Sequence, residues 1–143
     1  QRQMCIRDSV TNDLAIAQVL MPAAGLDVIM LGGYVDEESG STCGALATNM
    51  VRQMHFDLNF LGTQAVTPDW RVMTANAQKI DLKRACVEAA DKTVLAADHS
   101  KFKKHKLHYI FDIWAMDVVI SDYVLEPEEE KLFQEHNVTF IHV

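Results

Sequence analysis

Cysteine is scarce in this chain, with Cys5, Cys43 and Cys86 forming an odd set at long, irregular spacings. That pattern excludes a disulfide framework, offers no paired zinc ligands, and suits a reducing compartment. Aromatic residues make up only 8 %, which disfavours an antiparallel sandwich built on large rings. Three prolines and six glycines are too few for a low-complexity tract or a long linker. No apolar run reaches the ~18 residues of a membrane span, and no basic segment precedes an apolar signal stretch. Positive charge is in deficit too: 13 Lys and Arg against 20 Asp and Glu leave a net charge of −7. A nucleic acid would meet repulsion instead of a basic face. The phosphate loop, the dinucleotide fingerprint and the Gly-x-Ser-x-Gly elbow are all missing. His99, His105 and His108 stand at spacings that suit no usual metal site. A soluble, cytoplasmic domain is expected, with no cofactor, no metal and no membrane partner.

What is present is a chain of 143 residues, 49 % hydrophobic and 23 % charged, the size of one globular domain. Its first nine residues lack periodicity, and Met4-Cys-Ile-Arg-Asp-Ser9 resembles translated adapter sequence, so residues 1–9 are expected to be a non-native or disordered leader. Thr11-Asn-Asp13 offers caps for a helix over Leu14–Met21, which Pro22 and Gly25 end. Leu26–Leu31 reads as a buried strand stopped by Gly32-Gly33. A polar loop from Asp36 to Ser41 precedes a helix from Gly44 to Met54, and Leu58–Leu61 is a strand ending at Gly62. A turn at Pro68–Arg71 leads to an extended Val72-Met73, then to a long helix from about Ala75 to Lys92 with Leu82, Ala85, Cys86, Ala89 and Ala90 on one face. Thr93–Ala97 and Val118–Ile120 read as strands. Pro127–His136 is an acidic helix with proline in its first turn, and Val138–Val143 is a last strand. Such alternation requires crossover connections. The fold class is α/β, a mostly parallel sheet flanked by helices.

In open parallel sheets ligands collect beyond the carboxyl ends of the strands. The segments to inspect are Gly32-Gly33, Gly62-Thr63-Gln64-Ala65, Asp98-His99-Ser100-Lys101 and Ser121-Asp122, with Thr11 and Asn12 if a strand precedes them. Gly62 permits close backbone approach, and Thr63 and Gln64 bring hydrogen-bonding side chains; the bland reading is a turn that Thr63 caps. Lys83 lies three residues after Ile80 and four before Val87, on a face otherwise turned to the core. Either its ammonium emerges at a ligand or its methylenes simply snorkel along the core edge. Asp98 and Ser100 serve equally as ordinary caps, and His99 as a surface histidine. The basic run Lys101–Lys106 reads as a solvated turn or a local phosphate patch.

These same segments resemble the sensor domain of DeoR-family transcriptional repressors from Thr11 to Val143. Thr11-Asn-Asp-Leu-Ala-Ile-Ala17 is similar to the family's Thr-Asn-Ser-Leu-x-Ile-Ala block, and Val28-Ile-Met-Leu-Gly-Gly33 to its strand and Gly-Gly turn. Ser41-Thr-Cys-Gly44, Phe60-Leu-Gly62 and Met73-Thr74 match its Ser-x-x-Gly, Phe-Leu-Gly and Leu-Thr. Leu82-Lys-Arg84, Ala97-Asp-His-Ser-Lys-Phe102 and Ile120-Ser-Asp122 resemble its Val-Lys-Arg, Ala-Asp-Ser-Ser-Lys-Phe and Ile-Thr-Asp. The resemblance implies a ribose-5-phosphate isomerase-like fold, also shared with coenzyme A transferases. It further implies a non-catalytic pocket for a phosphorylated sugar or related metabolite that controls DNA binding by the intact repressor. It places Lys83 at the ligand, with Lys101 as a second cation near the same mouth. Operator DNA would be met only through a helix-turn-helix domain ahead of this one, and the parent protein is expected to be a homo-oligomer. Residues 10–143 are thus expected to be a sensor domain lacking that upstream domain and the family's Asp-Ser-Gly-Thr-Thr phosphate loop. Gly62-Thr-Gln-Ala65 stands where the family commonly has Gly-Ala-Asp-Gly. That removes the carboxylate an isomerase would use for proton abstraction. The competing class is a sugar-phosphate isomerase or transferase on the same fold, with Lys83 and Asp98 as its catalytic candidates.

Overall fold

The computed structural model describes residues 7–143. Eleven strands and four α-helices follow one another: β1 Arg7–Thr11, α1 Leu14–Leu20, β2 Leu26–Met30, β3 Tyr34–Asp36, β4 Ser41–Cys43, α2 Ala45–Val51, β5 Phe56–Leu61, β6 Ala65–Val66, β7 Arg71–Thr74, α3 Gln78–Glu88, β8 Ala90–Ala96, β9 His108–Asp112, β10 Val118–Ser121, α4 Pro127–Glu135 and β11 Thr139–His142. Residues 1–6 of the expected leader lie outside the described residues, whereas residues 7–9 open β1. Thr11 therefore ends a strand and Asn12 follows it.

The central sheet has four parallel strands in the order β11-β10-β8-β5. β8 lies inside it, and its Thr93, Val94 and Leu95 are all buried, as a strand covered on both faces requires. β1 and β2 form a second parallel pair, β3 and β4 an antiparallel hairpin, and β6-β7-β9 a small antiparallel sheet. The mostly parallel α/β architecture read from the alternating pattern is the one observed.

Local chemistry explains the element ends. Asp13 caps α1, its carboxylate accepting from the amides of Ala15 and Ile16 at 2.8 and 3.0 Å. Glu126 and Glu129 form a reciprocal capping box at the start of α4, just before and after Pro127. At the other end of α4, Asn137 adopts φ +56°. The amides of Asn137 and Val138 return to the carbonyls of Gln134 and Phe133 at 3.1 and 3.0 Å, which closes the helix with a left-handed turn.

Two expectations need correction. The long helix expected over Ala75–Lys92 spans only Gln78–Glu88. Its amphipathic stripe continues into Ala89 and Ala90, but Ala90 and Lys92 pair with Phe56 and Leu58 of β5, and this pairing overrides helical propensity. The polar loop at Asp36–Ser41 is the tip of a hairpin, since Asp36 and Ser41 face each other at the end of the β3–β4 ladder.

Two apolar clusters fill the interior. The larger joins Leu61, Leu95 and Val119 of the central sheet to Val66, Val72 and Ile110 of the antiparallel sheet and to Phe133 of α4. The smaller joins Leu31, Cys43, Ala47, Val51, Leu82 and Ala85. Cys86 of α3 packs against both, so α3 is their common wall. The same helix carries Lys83 of the candidate site.

Candidate effector site

Parallel register brings several carboxyl ends to one edge. Leu61 of β5 pairs with Leu95 of β8 and Ala96 of β8 with Ile120 of β10. Gly62, Asp98 and Asp122 therefore all leave the central sheet on the same side.

Lys83 is half-buried, and its ammonium donates to the Gly62 carbonyl at 2.6 Å. No carboxylate lies within 4 Å of it among the described residues. Burial, and then repulsion from Lys79, lowers its pKa to about 8. The neighbouring Arg84 is exposed and reaches the Ile110 carbonyl at 2.8 Å instead. Among the described residues, Lys83 is thus a cation joined to the sheet edge by one carbonyl dipole with no carboxylate within 4 Å.

Gly62 has open space where a side chain would begin. Thr63 and Gln64 are engaged in the chain itself. The Thr63 hydroxyl lies 3.2 and 3.3 Å from the carbonyl oxygens of Ala65 and Met73. The Gln64 Oε1 accepts from the Ala75 amide at 2.7 Å and the Thr74 hydroxyl at 3.0 Å. Gly33 sits at φ +135°, and a Cβ there would stand 2.6 Å from the Cys43 carbonyl oxygen; only glycine fits. Gly32 directs its amide toward the Met50 sulfur at 3.4 Å.

Thr11 and Asn12 bind β2 and the hairpin together. The Thr11 carbonyl accepts from the Leu31 amide at 2.9 Å, and the Asn12 carbonyl from the Thr42 amide at 2.7 Å. The Asn12 side chain returns a bond to the Thr42 carbonyl at 2.9 Å. Asp98 caps the short turn after β8 by accepting from the Ser100 amide at 2.9 Å, and Lys101 approaches it at 3.9 Å. His99 contacts Asp122 through its ring Nδ1 at 2.6 Å and its amide at 2.5 Å. Their hydrogen bond raises the His99 pKa and lowers that of Asp122. The structure thus joins Lys83 to Gly62, Gln64 to the end of β7 and the residue after it, and Asp98 to Lys101. It does not bring Lys101 into contact with Lys83.

A polar cluster centred on the buried Lys79 escaped the sequence reading. Lys79, one turn before Lys83, pairs with Asp36 of the hairpin at 2.6 Å and donates to the Ser39 hydroxyl at 2.7 Å. The Asn76 amide group meets the other Asp36 oxygen at 3.3 Å. With the Lys79 bond as the largest cause, the Asp36 pKa falls to about 2. The available signal was Lys79 itself, three residues before Leu82 and four before Lys83 on the inward face of the helix.

Cavities open elsewhere. One of about 880 Å³ lies between α4 and β11, and one of about 500 Å³ between α2 and the start of α3. Neither is lined by any of the sequence-derived site residues. Among the described residues no three His, Cys, Asp or Glu side chains converge as a metal site, and no helix is long and apolar enough to cross a membrane.

Residues 6–123 match the DeoR C-terminal sensor domain. The chain belongs to that family. It is 33 % identical over 114 residues to a putative aga operon transcriptional repressor of Escherichia coli O157:H7, covering 80 % of this chain and 42 % of the relative. It is 27 % identical over 113 residues to the glycerol-3-phosphate regulon repressor of Escherichia coli K12, covering 79 % and 45 %. An L-fucose operon activator of Haemophilus influenzae is 22 % identical over 129 residues, covering 90 % and 52 %. This DeoR sensor domain thus spans about half the length of these relatives, all named as regulators of transcription.

Proposed function

We propose that this domain binds a phosphorylated sugar or related metabolite and thereby controls operator binding by a longer, homo-oligomeric, cytoplasmic DeoR-type repressor of carbohydrate metabolism. The observation that carries the reading is Lys83: a half-buried ammonium at the carboxyl edge of a parallel sheet, held by one carbonyl and lacking a carboxylate partner among the described residues. A cation in that setting gains most from an incoming anion, because the bond forms where water is scarce. The open space at Gly62, whose carbonyl holds the Lys83 ammonium, leaves room for a ligand to approach the backbone there. Regulation then needs only differential affinity: the effector favours one arrangement of the domain and shifts the DNA-binding equilibrium of the whole regulator. DNA is met through a helix-turn-helix domain outside this chain, since the net charge of −7 suits no duplex contact here.

The test is a thermal-shift screen against sugar phosphates, including glycerol 3-phosphate. A ligand at about 100 times its Kd stabilises by about 2.7 kcal/mol, or on the order of 8–10 °C in a domain of this size. One compound should raise Tm, be recovered unchanged, and lose its effect on Lys83→Ala. Chemical conversion of the compound would favour an isomerase or transferase. A folded protein that responds to none would remove the phosphosugar reading.

A further inference from the structure

Resting on the reading that Lys83 receives the anion, we propose that Asp36 and Lys79 are positioning residues of the effector site, a clasp that fixes the loops around Lys83 through the β3–β4 hairpin. The connections form one continuous path. The Gln64 side chain accepts from Thr74 and Ala75. The Asn76 amide donates to the Thr74 hydroxyl at 3.2 Å, and its side chain to Asp36. Asp36 holds Lys79, and both contact Ser39, whose hydroxyl lies 2.5 Å from the Asp36 carboxylate. Ser39 reaches Ser41 at 2.6 Å. From there the hairpin binds the turn after β1, with the Thr42 amide on the Asn12 carbonyl and the Leu14 amide on the Gly40 carbonyl at 3.0 Å. Segments as distant in sequence as Asn12 and Gln64 are therefore positioned by one buried ion pair.

The chemistry of the pair suits positioning better than binding. Lys79 is 8 % exposed, and its ammonium already has a carboxylate and a hydroxyl. Lys83, four residues on, has neither, so the anion goes to Lys83 while neutralised Lys79 stays with the hairpin. Networks of this kind act as a unit because loss of one member leaves the others desolvated and unpaired.

The experiment is residue-resolved amide hydrogen exchange on the whole chain, alongside titration with inorganic phosphate. The Asp36→Leu/Lys79→Met double variant removes both charges together, so neither is left buried and unpaired, and it should fold without the clasp. The amides of Leu14, Thr42 and Ala75 should exchange ~tenfold faster or more, while that of Leu95, deep in β8, keeps its wild-type rate. Phosphate affinity should fall with them. The charge-swapped Asp36→Lys/Lys79→Asp variant should restore protection at all three amides. Wild-type protection at Leu14, Thr42 and Ala75 in the double apolar variant would overturn the proposal. So would loss of protection at Leu95 in parallel, which would mean general destabilisation. If phosphate does not bind the wild type, the anion-binding reading fails, and the exchange pattern alone still decides whether the clasp orders these loops.

Discussion

Asp36→Asn should cost stability in a manner that depends on pH, and the size of the effect follows from the pair it breaks. The side chains of Lys79 and Asp36 are 10 % and 15 % exposed and lie 2.6 Å apart, so solvent screens little of their attraction. The Asp36 pKa falls from 3.8 to about 2, which at 1.36 kcal/mol per unit is about 2.4 kcal/mol of preference for the ionised, paired form. Deleting one member of a buried pair typically costs about 3–5 kcal/mol, so a loss of about 2–4 kcal/mol at pH 7 is expected. A depressed carboxylate pKa contributes stability that is complete above the unfolded value and is lost as pH falls through the folded one. With these two values the contribution drops to about 1.3 kcal/mol at pH 3. Wild type and variant should therefore draw together in acid. Urea unfolding followed by circular dichroism at pH 7 and pH 3 measures both gaps, and unchanged m-values verify that stability alone has moved. A gap below about 0.5 kcal/mol at pH 7, or the same gap at both pH values, would refute the clasp as an energetic unit.

Further expectations concern the strands' carboxyl edge. Gly33→Ala places a Cβ at 2.6 Å from the Cys43 carbonyl oxygen at φ +135°, and should destabilise by about 2 kcal/mol or more; a loss under half that in urea unfolding would mean the turn relaxes freely. The His99–Asp122 pair has a window of its own. His99, with its raised pKa, contributes below about pH 6.5 and loses that contribution as pH rises through the elevated value. Asp122, with its lowered pKa, contributes above about pH 3.8 and loses it as pH falls. An NMR titration should place the imidazole pKa above that of the same histidine in Asp122→Asn, and equal values would dismiss the pair.

Legibility in the sequence followed the range of the interactions involved. Capping and burial act within a few residues, so Asp13, Pro127 and the apolar run of β8 could be read directly. The last turns expected of α3 could not, because Ala90–Lys92 is decided by pairing with β5, more than thirty residues away. The hairpin at Asp36–Ser41 was hidden for the same reason: its polar residues look like a loop until Asn76, just ahead of α3, and Lys79 within it supply partners. At the site, Lys83 was legible because a lysine on an apolar stripe conflicts with the local pattern. Lys79 presented the same conflict one turn earlier, but its meaning depended on a carboxylate that spacing cannot locate. Gln64 looked free for a ligand, and only the structure shows its oxygen occupied by Thr74 and Ala75.

The two described cysteines provide a way to watch the hairpin and the helix separately. Cys43 closes β4 and is fully buried, while Cys86 sits on α3 against both apolar clusters. Burial raises both thiol pKa values, that of Cys86 to about 11. At pH 8 a thiol of pKa 11 is thiolate roughly a hundredfold less often than one of pKa 9, and alkylation proceeds through the thiolate. Native-state reaction with iodoacetamide, read site by site by mass spectrometry, should therefore be slow at both positions. Because Cys43 belongs to the hairpin held by Asp36, Asp36→Asn should accelerate its alkylation through local opening. Cys86, on α3 and packed against the larger cluster as well, should accelerate less than Cys43. Equal acceleration at both thiols would mean that the hairpin and α3 open together. The Asp36–Lys79 bond would then be one contact of a single cooperative unit instead of the hold on a separately movable strap.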